Sequence, residues 1–194
     1  MPISNIILAS ASPRRRQLLN QIGLEFSIQP SKLDETQAPV LPPAELTEYL
    51  AVHKARAVAM GNPDAIIIAA DTLVVYENQI LGKPGGEPQA IAMLNQINGR
   101  QIEVITGYCV YQFNRDQKEV GVIKTQVWMK QLTQPEIDAY VRTGEALDKA
   151  GGFAIQGKGA ILVEKINGDY YNIVGLPLTP LIDSLKKFGV HVLN

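Results

Sequence analysis

Residues 65–76, AIIIAADTLVVY, constrain the fold more than any other stretch of the chain. The apolar run AIIIAA reads as a buried strand, and an ionisable residue, Asp71, follows it directly. The segment continues either as one long strand or as two strands bent at Asp71. The apolar run is far too short to span a bilayer, so its partners must come from a packed core. An unpaired buried carboxylate is costly. Asp71 therefore needs a partner, and strand ends are where α/β proteins place their sites. A turn aspartate satisfied by local hydrogen bonds is the plainer alternative.

Around this strand, strand and helix signals alternate. NIILA (5–9) reads as a short buried strand and EFSIQ (25–29) as a second. A first helix is expected from Pro13, with Ser12 as N-cap, proline at the first helical position and Gly23 at the end. A second helix is expected between Pro43 and Gly61. Leu46, Tyr49, Leu50, His53, Ala57 and Met60 fall on its apolar side, with Lys54 at that side's edge. A third spans about 87–97 and a fourth follows Thr133 and Gln134. Residues 101–113 and 118–130 alternate as a long hairpin turning at NRDQ. A strand near 160–166, an Asn167-Gly168 turn and a strand at 169–174 follow. A last helix covers about 178–188. This order predicts an α/β or α+β class with a mixed sheet.

The chain has 194 residues, which suits one domain, with room for two lobes. Its formal net charge is -1, which argues against a surface devoted to long nucleic acid. Any anion site must therefore be local. The single cysteine, Cys109, excludes an internal disulfide and reads as a buried structural thiol. Near the N-terminus the charges follow the apolar run, the wrong order for a signal peptide. A cytoplasmic protein without a membrane span is expected.

The local anion site has a candidate in ILASASPRRRQLL (7–19). Three arginines in the first turn of a helix oppose its dipole unless an anion sits among them. Ser10 and Ser12 add donors. The plainer alternative is a solvated cationic face. Asp34-Glu35 lies in a loop with three prolines, and with Asp71 it would suit a divalent metal held by oxygens. Lys83, in LGKPGG, could deliver an ammonium to a phosphate, although the P-loop spacing is absent. Lys54 could do the same, or only snorkel from the apolar face. Residues 145–160, EALDKAGGFAIQGKGA, form a glycine-rich connection in which Gln156 offers the donor and acceptor that a nucleobase edge requires.

Several stretches, in order along the chain, resemble the Maf family of nucleoside triphosphate pyrophosphatases: LASASPRRRQLL, LDE, HKAR, AADTLVV, LGKP, VITG, TQVWM, EALDKAGGFAIQG and YYNIVGLP. The resemblance implies a mixed twisted sheet with flanking helices and two lobes around a central cleft. It also implies metal-dependent cleavage of a nucleotide to a monophosphate and pyrophosphate. The family's serine-arginine motif matches Ser10, Ser12, Arg14 and Arg15. Its acidic metal position matches Glu35, and its "KA" lysine matches Lys54. Its catalytic aspartate matches Asp71, its "KP" lysine Lys83 and its "IQG" glutamine Gln156.

In the branch that prefers dTTP and UTP, the positions associated with specificity match Arg15, Thr72 and Gln156. DKAGGFAIQG looks like that branch rather than the one acting on 7-methylguanosine triphosphate. The expected metal is magnesium or manganese on Glu35 and Asp71, and the implied assembly is a homodimer. The chain departs from the pattern at Ile102, where many relatives have histidine, at Ala146, where proline is common, and at Phe153, where tyrosine is frequent. Two rival functions stay open at this point. One is a nucleotide-binding regulator of septum formation without turnover. The other is a transferase that adds nucleotidyl groups to an acceptor.

Overall fold

The computed structural model describes residues 5–193. Seven strands form one mixed sheet, flanked by helices. In chain order the elements are β1 (Ile6–Leu8), α1 (Pro13–Gln21), β2 (Ser27–Ile28), α2 (Pro43–Ala59), β3 (Ile66–Tyr76), β4 (Gln79–Leu81) and α3 (Glu87–Ile97). They continue with β5 (Gln101–Gln112), β6 (Gln117–Met129), α4 (Gln134–Val141), β7 (Val163–Asn167), α5 (Tyr170–Val174) and α6 (Leu178–Lys187). The strand order is β2-β1-β3-β5-β6-β7, with β4 paired to β3. IIIAADTLVVY, Ile66–Tyr76, is thus one unbroken strand through Asp71. No helix among the described residues is long and apolar enough to cross a membrane.

The chain divides into two compact units. The first holds the residues up to Asp71, Thr106–Ile123 and those from Gly175 onward. In it β1 lies between β2 and β3 and runs parallel to both, with Ile7 opposite Ser27 and Ile67. Parallel neighbours need crossover connections, which α1 and α2 supply. Because β2 and β3 flank β1 on opposite sides, the chain order reverses at the β1/β3 pair. The carboxyl end of such a pair is where open α/β sheets bind ligands.

Helix α2 packs on this sheet through a face of small residues. Ala51, Ala55, Val58 and Ala59 are buried against Ile7, Ala9, Ile67, Ala69 and Cys109. The face differs from the expected one, because Ala57 and Met60 point to solvent. Thr47, Leu50, Ala51, Ala55 and Val58 form the buried stripe instead. Close approach decides this outcome. A β-carbon added to Gly107 on β5 would overlap the Thr47 carbonyl and come within 2.7 Å of the Glu48 nitrogen. Helix and strand meet backbone to backbone, so the alanines rather than the larger apolar residues face inward. The shift moves Lys54 from the edge of the apolar face into the turn between Ala51 and Ala55. Cys109 is buried, and the loss of water pushes its thiol pKa up to about 12, as expected of a structural cysteine.

The second unit holds Thr72–Ile105 and Lys124–Val174. Its core gathers Val74, Leu81, Leu94, Ile97, Ile102, Val104, Val127, Ile137, Tyr140, Phe153 and Leu162. Strand β4 returns antiparallel on β3 through a turn in which Glu77 and Asn78 take positive φ. Helix α4 starts with a capping box: Thr133 N and Oγ1 both donate to Glu136, at 2.7 and 2.8 Å.

The expected strand at 169–174 is absent, and α5 occupies those residues. The Asn167-Gly168 turn signal is overridden by long-range polar contacts. Asp169 Oδ1 accepts from Tyr171 N at 2.7 Å and starts the helix, while Asp169 N donates to Thr125 Oγ1. The buried Asn172 amide then donates to the Val104 carbonyl and to Thr125 Oγ1.

Candidate functional site

The cationic corner follows β1 directly. Leu8 of β1 pairs with Ile68 of β3, so the chain leaving β1 reaches Ser10 near the level at which β3 reaches Asp71. Ser12 caps α1, its side chain accepting from Arg15 N at 3.5 Å. Ser10 Oγ accepts from Ser12 N at 3.2 Å and from Arg15 Nη1 at 3.1 Å. Arg15 Nε donates to the Gly175 carbonyl at 2.8 Å. The guanidinium is therefore held in a fixed orientation. Burial pushes its pKa down from the ordinary value; Asp71 and Glu35 oppose that shift, and Arg14 adds to it. Arginine stays charged through such shifts, so the corner presents a pinned cation with Arg14 beside it in sequence.

The acids meet at Lys54. Its Nζ lies 2.6 Å from Asp71 Oδ1 and 2.8 Å from Glu35 Oε1. The side chains of Lys54 and Asp71 are 12% and 11% exposed, which makes this a desolvated pair. Glu35 is 54% exposed, on a short 3₁₀ turn that Asp34 starts by accepting from Thr36 N. Asp71 Oδ2 has no hydrogen-bond partner among the described residues. The partner that a buried Asp71 requires is thus Lys54, delivered by a helix that Gly107 allows to lie against the sheet.

The remaining expected residues belong to the second unit. Thr72 follows Asp71 on β3 and is half-buried. Lys83 is exposed in the loop between β4 and α3 and makes no ion pair among the described residues. Gln156 is half-buried and stands at the N-cap of a 3₁₀ helix, Gly157–Leu162, with no capping bond from its own side chain. His53 stacks on Tyr49 with ring centroids 3.8 Å apart, and its Nδ1 lies 2.8 Å from the Tyr49 carbonyl, a local structural role.

Two contributors escaped the sequence reading. The Gly175 carbonyl orients Arg15 from far along the chain, and only its place in YYNIVGLP could have flagged it. Glu145 gathers backbone N–H groups beside Gln156. An acid at the head of a glycine-rich connection was the available signal.

No group of three or more acidic, histidine or cysteine side chains that could hold a metal occurs among the described residues. Yet two carboxylates converge on one position already filled by a cation. Magnesium commonly takes one or two carboxylates and completes its shell with water and phosphate oxygens. The donor set of Glu35 and Asp71 fits such an ion.

A family model described as Maf-like protein matches residues 5–188. The dTTP/UTP pyrophosphatase of Moorella thermoacetica is 52% identical over 190 residues, 98% of each chain. That of Methanosarcina mazei is 49% identical, covering 97% of this chain and 96% of its own. That of Pelotomaculum thermopropionicum is 47% identical, covering 98% and 100%. Among solved structures, the Staphylococcus aureus Ham1 protein aligns with 82% of this chain and 80% of its own at 14% identity and a TM-score of 0.48, too distant to bear on the site. With nearly its whole described length matched by the family model and by relatives about half identical, this chain belongs to the Maf family.

Proposed function

We propose that this protein hydrolyses nucleoside triphosphates, dTTP and UTP by preference, to the monophosphate and pyrophosphate. The observation that carries the reading is the convergence of Glu35 and Asp71 on one cationic position at the middle of β3, just beyond the stretch paired with β1 and in the unit that holds the Ser10–Arg15 corner. Relatives that carry the name dTTP/UTP pyrophosphatase over their full length support it.

In the reaction a water oxygen attacks the α-phosphorus, the bond from that phosphorus to the bridging oxygen breaks, and pyrophosphate departs with the bonding pair. Asp71 Oδ2, without a hydrogen-bond partner among the described residues, is assigned to orient the water and accept its proton. Aspartate is a weak base. A divalent ion, magnesium or manganese, held by Glu35 and Asp71 would acidify the water and offset phosphate charge. Arg15, fixed by Ser10 and Gly175, and Arg14 bind the phosphates and offset the charge growing on the leaving group, and Ser12 keeps the turn that presents them. Lys54 and Lys83 are assigned to the same charge, and Thr72 and Gln156 to the base. The two units are read as lobes of one domain. A homodimer in the cytoplasm belongs to the same proposal.

The test is incubation of the pure protein with each ribo- and deoxyribonucleoside triphosphate and magnesium, assaying monophosphate and pyrophosphate. Stoichiometric release of both, fastest from dTTP and UTP and without any acceptor, is expected. Binding without turnover would leave a regulator, and a requirement for an acceptor would leave a transferase.

A further inference from the structure

Glu145 and Gln156 stand at opposite ends of the glycine-rich connection, and the structure ties them together. The 3₁₀ helix Gly157–Leu162 begins immediately after Gln156. A helix start leaves N–H groups without internal acceptors. Here Glu145 accepts them: Oε2 lies 3.1 Å from Lys158 N and 3.3 Å from Gly159 N, and Oε1 lies 3.3 Å from Lys158 N. The residue in the N-cap place, Gln156, makes no such bond. The carboxylate presses close enough that a β-carbon on Gly157 would stand 2.9 Å from Oε2, and Gly157 takes φ +62, a conformation natural to glycine.

Glu145 is itself fixed. Its backbone N donates to Thr143 Oγ1 at 3.2 Å, and its carbonyl accepts from Lys149 Nζ at 3.0 Å. A side chain twelve residues away in sequence from Gly157 thus does the work that an N-cap residue does elsewhere. Two consequences follow. The turn carrying Gln156 is held in one conformation, and the Gln156 amide is not drawn back onto the N–H groups behind it. Both of its polar ends remain available to a ligand. A carboxylate acceptor makes this hold stronger than a neutral cap would.

We infer that Glu145 is a positioning residue for base selection: it satisfies the N–H groups behind Gln156 so that the amide can pair with the O4, N3–H edge of uracil or thymine. The inference rests on the assignment of Gln156 to the base. Glu145 touches neither the nucleotide nor the reacting atoms, so its loss should alter discrimination more than the chemical step.

The experiment measures kcat/KM for UTP and CTP in wild type, Glu145→Ala, Glu145→Gln, Gln156→Ala and the double variant Glu145→Ala/Gln156→Ala. The ratio of the two substrates does not depend on how much enzyme is folded, so a merely structural role leaves it unchanged. Sites built on polar contacts discriminate by large factors, so Glu145→Ala should reduce the UTP/CTP ratio by about tenfold or more, mostly through KM for UTP. Glu145→Gln, which keeps one acceptor oxygen, should restore much of the ratio. In the Gln156→Ala background, removal of Glu145 should change the ratio little, because the two act as one unit. If Gln156→Ala lowers the ratio while both Glu145 variants leave it at the wild-type value, the positioning role is wrong and the base assignment stands. If Gln156→Ala itself leaves the ratio unchanged, the base assignment fails and the positioning role falls with it. Should Glu145→Ala not fold, Glu145→Gln and Glu145→Asp read the same ratio.

Discussion

Lys54 Nζ sits 2.6 Å from Asp71 Oδ1, joining the middle of α2 to the strand residue on which the proposed chemistry turns. Both side chains are largely withdrawn from water. Removing one member of a buried pair leaves the other charge undercompensated. Asp71→Asn keeps size and an acceptor oxygen, and Glu35 remains to Lys54. Turnover should fall by orders of magnitude. The melting temperature should fall too, by a few degrees for a loss of about 1 kcal/mol in a chain of this length. Wild-type turnover in the variant would remove Asp71 from the chemistry.

Lys54 also occupies the position that a divalent ion would share with the two carboxylates. An ammonium there stabilises the acids and would compete with a metal held by them. Lys54→Met should therefore bind manganese more tightly than wild type in a calorimetric titration without nucleotide, while turning over triphosphates more slowly. Its metal-free form should melt lower, because Asp71 and Glu35 are left facing each other, and manganese should recover much of that loss. Metal affinity unchanged or weaker in the variant would show that Lys54 and the ion do not compete.

The placement of Lys54 depends on Gly107. A methyl at this position would meet the backbone of Thr47 and Glu48, which cannot rotate away as a side chain could. Gly107→Ala should lift α2 at Thr47 and Glu48 away from β5 and cost about 1–3 kcal/mol, as overpacking does. Thermal melting and turnover read it together. The folded fraction should also show reduced kcat, since the Lys54–Asp71 contact is two turns away on the same helix. A variant with normal melting and normal turnover would mean that the helix can shift without consequence.

Cys109 supplies a pH dependence. Its thiol stays protonated in the folded protein until about pH 12, whereas an exposed thiol in the unfolded chain ionises near 9.0. Between those values the unfolded chain holds fewer protons, so the contribution of this group to stability is complete below about pH 9 and declines as pH rises toward 12. The slope approaches about 1.4 kcal/mol per pH unit. Cys109→Ala lacks this loss. The stability difference between wild type and Cys109→Ala should thus narrow from pH 8.5 to 10.5 in urea melts, and a constant difference would place the thiol in contact with water.

What the sequence made legible was local. Proline at the first helical position and the glycine or asparagine that ends a helix marked α1, α2 and α3 to within a residue or two, because these signals act on their own backbone. The need of Asp71 for a partner was legible from its apolar surroundings. The identity of that partner was not, because Lys54 is brought to it by a helix face chosen through Gly107, on a strand far along the chain. The same limit explains α5. Asn167-Gly168 is a sound hairpin signal, but Asn172 finds its acceptors on Val104 and Thr125, and such distant polar contacts leave no trace in a local pattern. The residue types of the candidate site were readable, while the bonds that orient them came from three-dimensional neighbours.

Arg15 shows how far the bonds change an expectation. From the sequence, a cation at a helix N-terminus should cost stability, and Arg15→Ala should relieve it. The structure reverses the sign. Arg15 donates to the Gly175 carbonyl and to Ser10 Oγ, and the residue is half-buried. Truncation removes both bonds, a cost of about 1–3 kcal/mol that exceeds the few tenths to 1 kcal/mol of dipole relief. Arg15→Ala should therefore melt below wild type even without ligand. It should also bind dTTP or UTP much more weakly, while affinity for the corresponding nucleoside changes little, because the missing contact is to phosphate. Arg15→Lys separates the two effects: it keeps the charge and loses the planar fork that reaches Ser10 and Gly175 together. It should recover part of the triphosphate affinity and little of the melting temperature. An equal loss of affinity for nucleoside and triphosphate in Arg15→Ala would take this arginine off the phosphates and leave it a structural tie between α1 and the chain at Gly175.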